Sequence, residues 1–307
     1  MQGIVFFGVH SFGENFWNTA DILASLDCSE KLVAPLKRSS YSKIKTPTDW
    51  FDIRVVGKTV FDVLQDASGG DQQLYSRMLT KVFDGLLRGV ADSGASFADA
   101  MAKLRTNSIN IADEEYYLAF KTTTNWPDID GILNIATPEE LYQSALGCLR
   151  NAPVSEASYI ARCERVFSKL IFHPKVGETM KRHGQANAGA KYSPARVQGI
   201  CGFSHSVTDA LSALNGVELQ GKTSSQILDE VQNQSGFECS PQGKDKSNLK
   251  FKYNEGANEK ELNCEFHIKI HKDNDAAATH FQDRIYFGFC GSDDEKKIFV
   301  AHIGKHL

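Results

Sequence analysis

The chain has 307 residues, 41% of them apolar and 23% charged, with a net charge of -4. These are the proportions of an ordinary soluble protein with one large or two average domains, and they exclude a chain drawn to nucleic acid by its overall charge. The seven cysteines (28, 148, 163, 201, 239, 264 and 290) are odd in number and scattered, with no CxxC pair. That speaks against a disulfide framework or a zinc ribbon and for a reducing cytoplasm. No apolar run approaches the roughly 18 residues of a membrane span.

In chain order, Met1–His10 carries a short apolar run with no basic residues ahead of it, so it reads as a buried strand over 4–9 rather than a signal peptide. A short helix is expected over 17–26 and a strand over Phe51–Val56. Val60–Val90 carries a run of apolar residues whose later part is helical in period, broken into two pieces by Ser68-Gly-Gly70. A short helix follows at Phe97–Leu104, with strands at Tyr116–Phe120 and Ile132–Ile135. Thr137-Pro-Glu-Glu140 starts a helix that runs to about Arg150: an N-cap Thr, Pro in the first position, and acid in the first turn. Tyr159–Ile171 reads as a further helix. The aromatics Trp17, Trp50 and Trp126, and the patch Phe172-His-Pro174, read as buried structure. No nucleophile elbow or HExxH string occurs.

His183–Ala190 is small, polar and aperiodic, which makes it the best domain boundary. The fold class is then α/β (α+β): a mixed α/β domain over 1–190 of unknown role, followed by an α+β domain over 191–307. The second domain reads as a weak strand at Val197–Phe203, then short helices at Ser206–Leu214 and Ser224–Val231. Strands near 249–253, 264–271, 284–290 and 297–303 follow, with a polar hairpin turn at Gly291–Glu295. No internal repeat is visible.

Chemistry concentrates in these last strands. Residues 242–307 hold 11 basic and 11 acidic side chains, against 23 and 27 in the rest, and five of the nine histidines lie within 267–307. Strand alternation puts Phe266, Ile268 and Ile270 on one face with Ile285, Phe287 and Phe289. Glu265, His267, Lys269, His271, Arg284 and Tyr286 take the other. If Phe299, Ala301 and Ile303 share the apolar face, His302 joins the polar one, opposite Arg284, with Val300 opposite Tyr286 and His306 on the tail beyond. Such a solvated set suits general acid–base work on a phosphodiester. A His or Tyr takes a proton, Lys and Arg stabilise phosphoryl charge, and a second His protonates the leaving oxygen. RNA supplies its own 2′-OH nucleophile, so neither metal nor cofactor is needed. The plainer alternative is a solvated sheet face whose edge Lys discourage aggregation. A shared metal fits poorly, because His267 and His271 are roughly 13 Å apart by strand rise.

Gly216-Val-Glu-Leu-Gln-Gly-Lys-Thr223 matches the P-loop pattern GxxxxGK[ST]. Its context is wrong, since a helix rather than a buried strand precedes it and Glu218 sits where phosphate would. A helix–helix turn, with Thr223 or Ser224 capping the next helix, is the simpler expectation.

From about 195 the order strand, helix, helix and three or four antiparallel strands with a charged tail resembles the RelE/ParE superfamily of small toxins. The resemblance covers about 110 residues. It implies a helical hairpin on one face of a twisted antiparallel sheet, with a basic and aromatic set on the other that cleaves RNA without metal, commonly mRNA on the ribosome. Lys269, Arg284, Tyr286, His302 and His306 match that set by role; His267 and His271 extend it. The 190 preceding residues imply a fused sensing domain, as in phage-defence effectors. The expectation is a cytoplasmic, toxin-like ribonuclease, restrained by an antitoxin, another inhibitory partner or its own first domain, with no membrane partner. A non-catalytic nucleic-acid or protein-binding module and a metal-dependent DNA nuclease are the alternatives.

Overall fold

The computed structural model describes residues 2–6, 22–40, 42–54, 57–105, 115–120, 134–135, 137–151, 153, 155–182, 200–243, 249–255, 258–272, 281–292 and 295–307. They pack as two units, Met1–Ala145 and Leu146–Leu307. The expected linker 183–190, the strand residues 197–199, and Trp17 and Trp126 lie outside the described residues.

The first unit contains β1 (Gln2–Phe6), α1 (Ile22–Lys37), β2 (Ser42–Thr46), α2 (Val60–Ser68), α3 (Gln72–Thr80) with a π-helical continuation at Lys81–Leu87, β3 (Ala91–Asp92), α4 (Phe97–Arg105), β4 (Glu115–Phe120) and β5 (Asn134–Ile135). The strands form one all-parallel sheet in the order β3-β2-β1-β4-β5. Parallel neighbours need crossover connections, and among the described residues α1 links β1 to β2, α2 and α3 link β2 to β3, and α4 links β3 to β4. The crossovers lead from β1 toward β2 and β3 on one side and toward β4 and β5 on the other, which puts the topological switch between β1 and β4. Apolar helical faces, including Leu26, Val33 and Leu36 of α1 and Val60 and Leu64 of α2, are buried.

Local chemistry explains the boundaries. Thr59 and Asp62 form a reciprocal capping box at the start of α2, and the helix stops at Gly69 with φ +57°, as the Ser68-Gly-Gly70 break requires. The expected strand at Phe51–Val56 is not formed through residue 54. Trp50 N–H donates to Pro47 O at 3.3 Å and Asp52 N–H to Asp49 O at 2.9 Å, so turns follow β2 directly.

The second unit begins within α5 (Pro138–Asn151), a helix that starts as expected: the Glu140 amide donates to Thr137 Oγ1 and the Thr137 amide to Glu140 Oε2, each at 3.2 Å. It continues with α6 (Glu156–Val166), β6 (Leu170–Phe172), α7 (Val176–Arg182), α8 (Ile200–Gly216), α9 (Ser224–Ser235), β7 (Cys239–Pro241), β8 (Lys250–Glu255), β9 (Asn258–Asn263), β10 (Phe266–Lys272), β11 (Phe281–Cys290) and β12 (Lys297–Lys305). The helix expected over Tyr159–Ile171 therefore ends at Val166 and gives way to a strand. The strand expected over Val197–Phe203 is, from residue 200, the first turn of α8, interrupted at Phe203 (φ -144°, ψ 18°). The main sheet runs β6-β12-β11-β10-β7. Its last four strands are antiparallel, and β6 joins β12 in parallel. Residues before the expected boundary at 190 thus complete the C-terminal sheet.

The helical hairpin α8–α9 packs on β10 and β7, as expected. The apolar sheet face carries Ile268, Ile285, Phe287, Val300 and Ile303, all buried; burying each such side chain contributes about 1.5–3 kcal/mol. Its assignment on β12 differs from simple alternation. Tyr286 pairs with His302 but Phe287 pairs with Val300, so Ala301 is an extra residue in a β-bulge. Ile298, Val300 and Ile303 consequently share the helix-covered face, and Phe299 goes to the other.

That other face has two halves. At one end the β8–β9 ribbon lies over it, and Phe251, Tyr253 and Leu262 pack against Cys264, Cys290, Phe299 and Ala301. The approach is close: a Cβ on Gly288 would lie 3.0 Å from Asn263 O and 3.1 Å from Leu262. The polar residues occupy the other half.

Candidate active site

Three strands deliver the polar set. Directly opposed residues share a face, and the register opposes His267 to Tyr286 and Tyr286 to His302, a row straight across β10, β11 and β12. The Tyr286 ring stands between two imidazoles, 5.4 Å from His267 and 5.8 Å from His302 by centroid. The next row is Lys269, Arg284 and Gly304. The hairpin register, with Cys290 opposite Lys297, and the bulge at Ala301 each shift the expected pairing by one residue: His302 faces Tyr286 rather than Arg284, and Arg284 faces Gly304, which has no side chain to crowd the guanidinium. Val300, expected opposite Tyr286, pairs with Phe287 on the apolar side.

A second correction concerns exposure. The face was expected to be solvated, but His267 is 3% exposed, Tyr286 0% and His302 6%. The residues after Gly304 take part in the cover: Leu307 N–H donates to Tyr286 OH at 3.1 Å, and His302 Nε2 donates to Lys305 O at 2.8 Å. A carbonyl only accepts, so His302 carries a proton on Nε2. Arg284 and Lys269 are half-buried, and His306 is exposed. His271 does not continue the alternation. The register shifts after Lys269 and pairs His271 with Asp283; the His271 side chain lies outside the described residues.

The short strand β7 supplies partners that sequence reasoning missed. Glu238, just before it, forms an ion pair with Lys269. Ser240 Oγ is 3.4 Å from His267 Nε2, and Gln242 Oε1 accepts from Arg284 Nη1 at 3.4 Å. Three residues at i, i+2 and i+4 thus meet three members of the set, the period of one strand face. The stretch Glu238-Cys-Ser-Pro-Gln242 has little apolar content and a Pro, so only this polar alternation beside a strand could have flagged it.

The electrostatics divide the imidazoles. Arg284 Nη1 lies 3.1 Å from His267 Nε2. A guanidinium has donors only, so Nε2 accepts and the ring is neutral. Desolvation lowers the His267 pKa to about 3, with Arg284, then Lys269 and His306, adding repulsion. Nδ1 is buried with no hydrogen bond of good geometry among the described residues, and the Glu265 main chain gives the protonated ring only weak support. His267 therefore cannot donate a proton at neutral pH. Arg284 Nε is likewise buried without a hydrogen-bond partner among the described residues, which leaves this cation a donor of fixed direction.

The P-loop-like string is a helix–helix turn. Gly216 ends α8, and Thr223 caps α9 through a reciprocal box with Gln226. Lys222 is ion-paired with Glu230. The Glu218 carboxylate accepts from the N–H groups of Leu219 at 3.1 Å and Gln220 at 3.4 Å. Those amides hold its pKa below the usual carboxylate range, helped by Lys169. The loop's own carboxylate thus occupies the donors a phosphate would use. Among the described residues, no group of three His, Cys, Asp or Glu is placed to hold a metal ion, and no helix is long and apolar enough to cross a membrane. Comparison of the chain with family models, curated proteins and solved structures finds no match to any of them.

Proposed function

We propose that the C-terminal unit is a metal-independent endoribonuclease of the RelE-like kind, acting in a toxin–antitoxin or phage-defence setting. The observation that carries the reading is the convergence on one sheet face of Tyr286 between two imidazoles with the Arg284 guanidinium beside them. In this scheme Arg284 and Lys269 bind the scissile phosphate and neutralise charge developing on its oxygens. The ribose 2′-OH attacks phosphorus and gives its proton to the His302 imidazole, directly or by relay through the Tyr286 hydroxyl, which passes its own proton on to His302. The P–O5′ bond breaks, and His306, on the exposed edge, protonates the departing 5′ oxygen. The products are a 2′,3′-cyclic phosphate and a 5′-hydroxyl. Access to Tyr286 requires residues 306–307 to move aside. The substrate in this reading is RNA, such as mRNA on a ribosome in the cytoplasm, and the first unit or a separate inhibitor restrains the activity.

Burial of His267, Tyr286 and His302 favours a second reading, in which the row is a structural stack and the half-buried cations Arg284 and Lys269 form a non-catalytic binding module for RNA or protein. Expression in a bacterium separates the two. The nuclease reading expects growth arrest with RNA fragmentation, abolished by Arg284→Ala and by His302→Ala. Arrest and fragmentation that persist in both folded variants would overturn it, and salt-sensitive binding without turnover supports the module instead.

A further inference from the structure

We propose that His267 is a positioning residue rather than a proton carrier: a permanently neutral imidazole whose Nε2 fixes the Arg284 guanidinium, with β7 holding both. The inference rests on the ribonuclease reading for its meaning in catalysis, though its geometry stands alone. Three observations carry it. Arg284 Nη1 reaches two acceptors, His267 Nε2 at 3.1 Å and Gln242 Oε1 at 3.4 Å, from two different strands. A guanidinium held from two sides keeps one orientation, which is what a phosphate-binding Arg needs in order to act in a transition state without reorganising. His267 is 3% exposed and its Nε2 is turned to the Arg284 guanidinium, so that nitrogen is committed to the cation rather than to a substrate. The groups that face it are also the wrong sign for an acid: Arg284 from β11, Lys269 from its own strand and His306 beyond β12 are basic. Tyr286 stacks on its ring, and Ser240 of β7 approaches its Nε2. Glu238 of β7 is already paired with Lys269.

Catalysis therefore divides among the rings. His267 accepts a hydrogen bond and never carries charge, while the proton transfers fall to Tyr286, His302 and His306. A glutamine at 267 offers a carbonyl oxygen as acceptor but cannot shuttle a proton. On this proposal His267→Gln retains RNA cleavage within about tenfold and leaves the acidic limb of the pH profile where it was. His267→Leu, which removes the acceptor, loses about a hundredfold, the scale of losing one preorganised donor to developing charge. Equal loss in both folded variants, or an acidic limb that shifts in His267→Gln, would overturn it. A second measurement needs no activity: nitrogen-15 NMR of the histidine rings in the full chain. The expected signature is a neutral ring protonated on Nδ1, with no titration of His267 down to pH 4. Titration near pH 6 would refute the proposal even if the variants misfold. If wild type shows no Arg284-dependent cleavage but the NMR signature holds, the ribonuclease reading fails and the positioning geometry survives.

Discussion

Acid should loosen the C-terminal sheet through His267 by an amount that follows from its burial. In the unfolded chain this ring takes up a proton near pH 6.5; in the folded sheet it does so only at about 3. Between those values the unfolded state binds more protons, so stability falls as pH falls, beginning below about 6.5 and levelling off below about 3. Integrating from pH 7 to pH 4, and allowing for water at the ring edge, gives a loss of about 2–3 kcal/mol from this one group. Carboxylates contribute too, so the quantity to measure is the difference between wild type and His267→Gln. All three tryptophans lie in the first unit, so tryptophan fluorescence would miss the effect. Hydrogen-exchange mass spectrometry of peptides from β11 reports it directly. Protection factors there should drop about 30- to 150-fold more in wild type than in His267→Gln between pH 7 and pH 4. Equal drops would mean that the ring is not held neutral, and the site's electrostatics as described would be wrong.

Three further outcomes are expected. Leu307→Pro removes the N–H that Tyr286 accepts; it should cost about 1 kcal/mol and raise nitration of Tyr286 measured by mass spectrometry, and unchanged nitration would show that residues 306–307 are not part of its cover. Gly288→Ala forces a Cβ against Asn263 O and Leu262; it should cost about 1–3 kcal/mol and lower the midpoint of denaturant unfolding followed by β10–β12 exchange, whereas a neutral result would mean that the β8–β9 ribbon yields freely. Millimolar ATP with magnesium should leave the melting temperature of wild type and of Lys222→Ala unmoved, because Glu218 already takes the amides of the P-loop-like string; a wild-type rise that Lys222→Ala abolishes would revive that motif.

Sequence patterns gave the strands of the C-terminal sheet because their apolar alternation is strong: Phe266, Ile268, Ile285 and Phe287 leave little choice of face. They could not give the bulge at Ala301, since Ile298-Phe-Val-Ala-His-Ile303 is apolar at five of six positions and supports either parity. The strand β9, Asn-Glu-Lys-Glu-Leu-Asn, has one apolar residue; it is held by cross-strand pairs such as Lys252 with Glu259 at 2.7 Å and by Leu262 packing on the sheet. Its cover over half of the polar face was therefore invisible. So was β7, too short and polar to read as a strand, yet the source of Ser240. Alternation tells which side chains share a face, while what lies over that face is a tertiary fact; this is why the convergence of Arg284, Tyr286 and His302 was readable and their burial was not. In the first unit, β2 was missed because Ser-Lys-Ile-Lys-Thr has a single strongly apolar residue, and turn chemistry at Pro47–Asp52 displaced the strand expected after it.

The most direct trial of the nuclease account is cleavage of a single-stranded RNA by the purified full chain in excess EDTA, with product ends identified by mass spectrometry. The account predicts 2′,3′-cyclic phosphate ends from wild type and about a 10²- to 10³-fold slower reaction from Arg284→Ala. No cleavage by wild type, or cleavage that Arg284→Ala leaves at full rate, would contradict it.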